Sequence, residues 1–242
     1  MGPAVLIIGG FAVIMIMSMV LHEYAHGYVA NLCGDYTAEA AGRLTLNPLK
    51  HIDPFMTILL PAVLLWMGSP FVFGGAKPVP INPYNLRHMR RDLRLVSAAG
   101  VTTNLIIALG LSILLRLLLF AGVFKLVPGQ PMQTSPGVIV LGMGIIFNLI
   151  LFAFNLMPVP PLDGSRILRT FLPAELEAVF NMLDRFGLIV IFALLSFSAS
   201  SGVFFSIVRT VILFFWGNVL QLDYSWLGYT LDGFRMAWHN LF

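Results

Sequence analysis

The chain has 242 residues, 58% of them hydrophobic and only 10% charged, against roughly 25% charged in an average soluble domain. So few charges cannot keep a folded surface hydrated, so the composition specifies a polytopic membrane protein. Fourteen Lys and Arg against eleven Asp and Glu leave a formal net charge of +3, without the dense basic stripe of a nucleic-acid binder. The one cysteine, Cys33, excludes an intrachain disulfide and a Cys-rich metal site, so a metal would have to be held by His and carboxylates.

No formally charged residue precedes Glu23. Pro3–Leu21 is long enough, as a helix, to cross a hydrocarbon core of about 30 Å. It lacks the basic leader and small-residue cleavage site of a removable signal peptide and is expected to be a retained first span. At its inner end stands His22-Glu23-Tyr24-Ala25-His26. Positions four apart share a helix face, so both imidazoles can bind one metal ion with Glu23 beside them. The pattern is loose enough to arise by chance in a soluble helix. At the end of an apolar span, however, such groups need partners that lipid does not supply, and zinc is the natural one.

Tyr36–Leu46 contains the alternating run Arg43-Leu44-Thr45-Leu46, which suits a small interfacial β-hairpin whose edge could hold an extended peptide. Phe55–Phe73 is apolar, yet its best run, Phe55–Met67, reaches only about 20 Å as a helix. Pro61, Gly68, Pro70, Gly74 and Gly75 interrupt it, and a re-entrant segment is expected. The loop Ala76–Arg94 carries Lys77, Arg87, Arg90, Arg91 and Arg94 against Asp92, which places it in the cytoplasm.

Four further apolar stretches follow: Leu95–Phe124, Val138–Met157, Phe186–Phe197 and Val203–Leu220. The expected architecture is an all-α polytopic bundle of about five to six transmembrane helices with the re-entrant segment and the hairpin. It forms one integral-membrane domain, with residues 1–170 as the catalytic core and 171–242 as a C-terminal helical hairpin and tail. No internal repeat, low-complexity tract or appended soluble domain is expected within these residues. Arg209 sits inside the last apolar stretch, where snorkelling, an ion pair or a helix break would each accommodate it.

Two histidines leave zinc under-coordinated, because catalytic sites usually have three protein ligands and an open position for water. The best third ligand is Asp163, in the segment running from Asn155 to Gly164. Prolines end the preceding helix there, and Asp163-Gly164 can turn the carboxylate back into the bundle. On spacing alone a surface turn fits equally well. Topology favours the ligand: if Phe55–Phe73 is re-entrant, His22 and Asp163 lie at the same face and can meet. His51 is the reserve ligand. Asn155 could hydrogen-bond a substrate carbonyl, orient Asp163 or simply cap its helix. Asn104 fits helix-to-helix packing, Asp53 loop organisation, and His88 and His239 solvated or interfacial positions.

Together these residues resemble the site-2 protease family of intramembrane zinc metalloproteases, in its compact prokaryotic form without a PDZ domain. The likeness rests on His22-Glu23-Tyr24-Ala25-His26-Gly27, on Gly42 through Pro54, on Ala76-Lys77-Pro78-Val79-Pro80-Ile81-Asn82-Pro83, on Arg90-Arg91 and on Asn155 through Gly164. Family members often have Ala-Gly-Pro where this chain has Ala99-Gly100-Val101. The resemblance implies zinc bound by His22, His26 and Asp163, a zinc-held water as nucleophile, and Glu23 as general acid/base. It also implies cleavage of transmembrane substrates near the cytoplasmic face of a prokaryotic cell membrane, with the bilayer and the substrate as partners and no nucleic acid. The competing readings are a proteolytically silent scaffold that binds partner helices and an ion transporter, whose ionisable groups would be spread along several spans.

Overall fold

The structure, a computed structural model, describes residues 2–67, 74–125, 127, 134–219 and 224–239. In chain order it contains α1 (Pro3–Leu32), the single turn α2 (Thr37–Ala40), α3 (Leu60–Trp66, entered through a π-turn at Pro54–Leu59) and α4 (Met89–Phe120). There follow α5 (Pro136–Asn155), α6 (Asp163–Arg169), α7 (Ala174–Arg185), α8 (Gly187–Ser201), α9 (Val203–Phe214, continuing as a π-turn over Phe215–Val219) and α10 (Tyr224–His239).

Among the described residues, α1, α4 and α5 are each long and apolar enough to cross a membrane, and Glu175–Arg185 with Gly187–Phe197 would make a fourth span bent by 89°. That is fewer than the five to six expected. The C-terminal apolar sequence is cut into short pieces, α8 at 15 residues and α9 at 12, because Gly202 adopts a positive φ of 70° between them and ends the first. Residues 68–73 and 220, at the ends of two expected segments, and the side chain of His239 lie outside the described part. Arg209 is exposed on α9, and His88 is exposed too.

Packing divides the chain into two compact units: Met1–Ser18 with Asn104–Ala153 and Ser206–Phe242, and Met19–Thr103 with Phe154–Phe205. In the first, Ala108, Leu115, Ile145, Leu149 and Trp216 form a fully buried apolar cluster. Beside it lies a buried polar knot. Asn148 Nδ2 donates to Ser18 Oγ and to the Gly144 carbonyl, each at 2.9 Å, and Asn104 Nδ2 donates to Asn148 Oδ1 at 3.4 Å. The packing role expected of Asn104 is thus met by tying α4 to α5 and, through Asn148, to α1.

In the second unit the connections are built from Asx-Pro pairs, which favour turn initiation. Asn47, Asp53 and Asn82 each precede a proline and accept main-chain N–H groups two or three residues on, capping the short turns that follow. The excursion that begins at Phe55 returns to its own start: Gly75 N–H donates to the Met56 carbonyl at 3.1 Å and Thr57 Oγ1 to the Gly75 carbonyl at 2.6 Å.

The expected hairpin at Tyr36–Leu46 is not formed, and no strand occurs among the described residues. Thr37–Ala40 makes a helical turn closed by Gly42 at a φ of 62°. Gly42 N–H donates to the Glu39 carbonyl and Arg43 N–H to the Ala38 carbonyl, the paired bonds of a Schellman motif. Alternation over four residues cannot make a strand without a ladder partner, whereas the glycine closes the helical turn locally.

Asp35 holds this region in place. It is fully buried and accepts from Thr37 N–H at 3.1 Å, Thr37 Oγ1, Asn82 N–H at 2.7 Å and Asn85 Nδ2 at 3.0 Å. Burial alone would raise its carboxyl pKa, but the hydrogen bonds from Thr37, Asn82 and Asn85 outweigh it and hold it below the usual range. A folded-state pKa that is depressed contributes stability above the unfolded value of about 3.9, lost as the pH falls through the folded one. Asp35→Asn would turn a donor against donors; thermal unfolding in detergent micelles at neutral pH should show a loss of roughly 1–3 kcal/mol.

Candidate active site

The α1 helix runs unbroken through the His22 to His26 segment, so the two rings lie one turn apart on the same face. Their Nε2 atoms are 3.1 Å apart. His26 Nδ1–H donates to the Val96 carbonyl at 2.7 Å, which fixes the tautomer and leaves Nε2 as the free ligand atom. Asp163, the first residue of α6, brings Oδ2 to 3.3 Å from His22 Nε2 and 3.1 Å from His26 Nε2. All three residues are buried, and their ligand atoms lie within 4.8 Å of one another.

This donor set suits a resident metal. Two imidazole nitrogens and one carboxylate oxygen are a common zinc triad, and the buried Asp163 Oδ2 makes no hydrogen bond of ordinary geometry, so a cation would satisfy it. Desolvation would push the Asp163 carboxyl up, but the His22 and His26 imidazoles beside it hold it well below the ordinary carboxylate range. It is ionised at neutral pH, as a ligand must be.

The geometry depends on glycines whose purpose the sequence alone does not show. A Cβ at Gly100 on α4 would lie 2.6 Å from His22 Cε1, 2.7 Å from His22 Nε2 and closer still to His26 Nε2. A Cβ at Gly164 would strike the main chain of Leu156 and Met157. Gly164 therefore lets the chain after α5 fold tightly against the start of α6, and Asp163 is aimed from a helix N-terminus rather than from the expected turn.

Glu23 is partly buried, and its Oε2 accepts the Val79 main-chain N–H at 2.9 Å. Asn155, the last residue of α5, lines the same cavity as His22, Glu23, His26 and Asp163, a space of about 690 Å³. His51 is not in the metal group: its Nε2 bonds the Thr45 carbonyl at 2.8 Å, which is loop organisation.

Further residues of the site carry no sequence motif. Arg166 Nη1 lies 3.8 Å from Asp163 Oδ1. Ser97 lines the cavity with a buried hydroxyl that has no hydrogen-bond partner. On α7, Glu177, Asn181 and Asp184 line the cavity, and Leu176, Val179 and Met182, on the other face, are exposed. Arg169 Nη1 joins it to α6 through Asn181 Oδ1 and Asp184 Oδ2, each at 2.7 Å. The helical periodicity of α7 could have revealed this wall; Gly100 and Ser97 gave no signal.

A polar, charged cavity with a buried nitrogen and oxygen donor set, carried by a chain of long apolar helices, is the equipment of a membrane metallopeptidase. The model of peptidase family M50 matches residues 10–198, and the chain belongs to this family of zinc metalloproteases. It is 38% identical over 187 residues to YwhC of Bacillus subtilis (strain 168), named as a candidate zinc metalloprotease, covering 74% of this chain and 77% of that one. Proteins called Rip2, described in the same words, are 31% identical over 211 residues in Mycolicibacterium smegmatis and 30% identical over 214 residues in Mycobacterium tuberculosis (strain H37Rv). Each alignment covers 86% of this chain and 73% of the relative. No solved structure matches the chain.

Gly100→Ala tests the close approach of α4. Equilibrium competition against a chromophoric chelator should show zinc affinity at least roughly 10-fold weaker than wild type, the order expected when ligand orientation is disturbed. Undiminished affinity would mean that the imidazoles move aside freely.

Proposed function

We propose that the protein hydrolyses peptide bonds of transmembrane substrates near the cytoplasmic face of a prokaryotic cell membrane. In this reading His22, His26 and Asp163 hold zinc and Glu23 is the general acid/base. The observation that carries it is the convergence of three buried ligand atoms beside a glutamate whose carboxylate is already held by a main-chain amide. When bound, zinc supplies a Lewis acid and lowers the pKa of water toward neutrality.

The remaining steps belong to the chain's own residues. Glu23, with Oε2 engaged by Val79, uses Oε1 to take a proton from the attacking water and deliver it to the departing amide nitrogen. One water is consumed, the C–N bond breaks, and a carboxyl and an amine result. Asn155 donates from Nδ2 to the scissile carbonyl oxygen, where negative charge develops. The cavity has the volume of an ordinary ligand cleft, about 300–1,000 Å³, so a helical substrate must unwind to present an extended segment.

The side of the membrane follows from charge. The ends of the excursion starting at Phe55 are hydrogen-bonded to each other, which supports a re-entrant segment over a full crossing. Lys77, Arg87, Arg90, Arg91 and Arg94 then lie on the same side as the site, and the positive-inside rule makes that side cytoplasmic. Residues 1–170 carry the reactive groups, and α7, from the C-terminal part, adds a polar wall.

The test is cleavage of a single-span reporter in liposomes. Glu23→Gln should keep its zinc and lose activity by roughly 10²–10⁴-fold. Asp163→Asn should lose both zinc and activity, and chelation should silence wild type until zinc is restored. A Glu23→Gln protein as active as wild type would overturn the chemistry, and a wild type that binds partner helices without cutting them would favour the scaffold reading.

A further inference from the structure

Residues 74–82 have no regular secondary structure, Lys77 and Val79 each precede a proline and are thereby biased to extended backbone, and Ala76, Pro78, Val79 and Ile81 line the cavity beside Glu23. Prolines at 78 and 80 carry no N–H, so between Lys77 and Ile81 the single main-chain donor is that of Val79. It donates to Glu23 Oε2 at 2.9 Å across 56 residues of sequence.

This strap is anchored on either side of that bond. Lys77 N–H donates to the His51 carbonyl at 2.7 Å, Arg43 Nη2 donates to the Lys77 carbonyl at 2.8 Å, and Asn82 N–H donates to Asp35 Oδ2 at 2.7 Å. The Val79 side chain is seated as well. A Cβ on Gly27, one helical turn beyond Glu23, would lie 2.9 Å from Val79 Cγ1, so the strap rests directly on α1 where the glutamate emerges. Two prolines hold the strap extended, and little freedom is left for the amide to drift.

From these contacts we infer that Val79 is a positioning residue for the general base. Its main-chain amide fixes the Glu23 carboxylate by Oε2 and presents Oε1 as the oxygen that exchanges protons. The inference rests on the role proposed above for Glu23. A glutamate has three side-chain torsions, and a base that wanders by about 1 Å loses rate on the order of 10²-fold. The pairing also gives the alternating Lys77-Pro78-Val79-Pro80 sequence a purpose: neighbouring amides that could compete for the carboxylate are removed.

Two measurements on the full-length zinc-loaded protein test this. The first is residue-resolved amide hydrogen exchange in wild type, Glu23→Gln and Glu23→Ala. Gln keeps a carbonyl acceptor and Ala removes it. Val79 exchange should therefore accelerate at least about 10-fold in Glu23→Ala and less in Glu23→Gln, with Lys77 exchange unmoved as the internal control. Equal Val79 exchange in wild type and Glu23→Ala would overturn the inference.

The second compares Val79→Pro, which deletes the amide donor from a strap already extended, with Val79→Ala, which keeps it. At equal zinc content, kcat of Val79→Pro should fall roughly 10- to 100-fold below that of Val79→Ala with KM within about twofold. A Val79→Pro enzyme that matches Val79→Ala, or exceeds it because the strap merely obstructs the cavity, would overturn the proposal. If Val79→Pro fails to load zinc, the exchange measurement decides alone. A wild type that cleaves no peptide would sink the protease reading, while the exchange result would still report on the bond.

Discussion

Two imidazole nitrogens and a carboxylate oxygen lie within 4.8 Å of one another in a buried place. Lone pairs brought this close in a buried place are costly unless something positive lies among them, and a divalent cation removes the cost for all three. The surroundings serve that approach. An unbroken α1 stacks the two rings, the Val96 carbonyl holds one of them by its far nitrogen, and the absence of a side chain at Gly100 lets α4 lie against both. Asp163 arrives from α6, and its position depends on Gly164 giving way to the main chain of Leu156 and Met157.

A hydrolase inside an apolar framework has a second problem, which is to keep water at one place. Helix α7 contributes polar groups to that place: Glu177, Asn181 and Asp184 line the cavity, and Leu176, Val179 and Met182 on its other face are exposed. Where the outer medium is lipid, an exposed apolar face carries no penalty, and Arg169 pairs inside with Asn181 and Asp184. Elsewhere buried polarity is used for packing instead. Ser18, Asn104 and Asn148 satisfy one another among α1, α4 and α5, and no ligand is needed to explain them.

The described loops of the second unit are held by short-range chemistry repeated at three Asx-Pro turns and by long-range chemistry concentrated at Asp35. These bonds hold the strap at 76–82 as a wall of the cavity, where a single amide bears on a carboxylate 56 residues away.

Much of this could be read from the chain before folding. Period and spacing are local, so the helix carrying His22, Glu23 and His26, the apolar spans, the broken segment after Phe55 and the breaks at prolines were all visible in one dimension. Asp163 was nameable as a ligand but not distinguishable from a surface turn on spacing. The hairpin at Tyr36–Leu46 failed because a strand is a property of two segments, and a four-residue alternation says nothing about its partner, whereas Gly42 closes a helical turn within its own neighbourhood. The tertiary structure alone decided that Asp163 meets the two imidazoles, that Gly100 must be small and that Val79 holds Glu23. Each of these depends on distances between residues far apart in sequence, and for Val79 the acting group is a main-chain N–H, which every residue but proline possesses and no motif can mark.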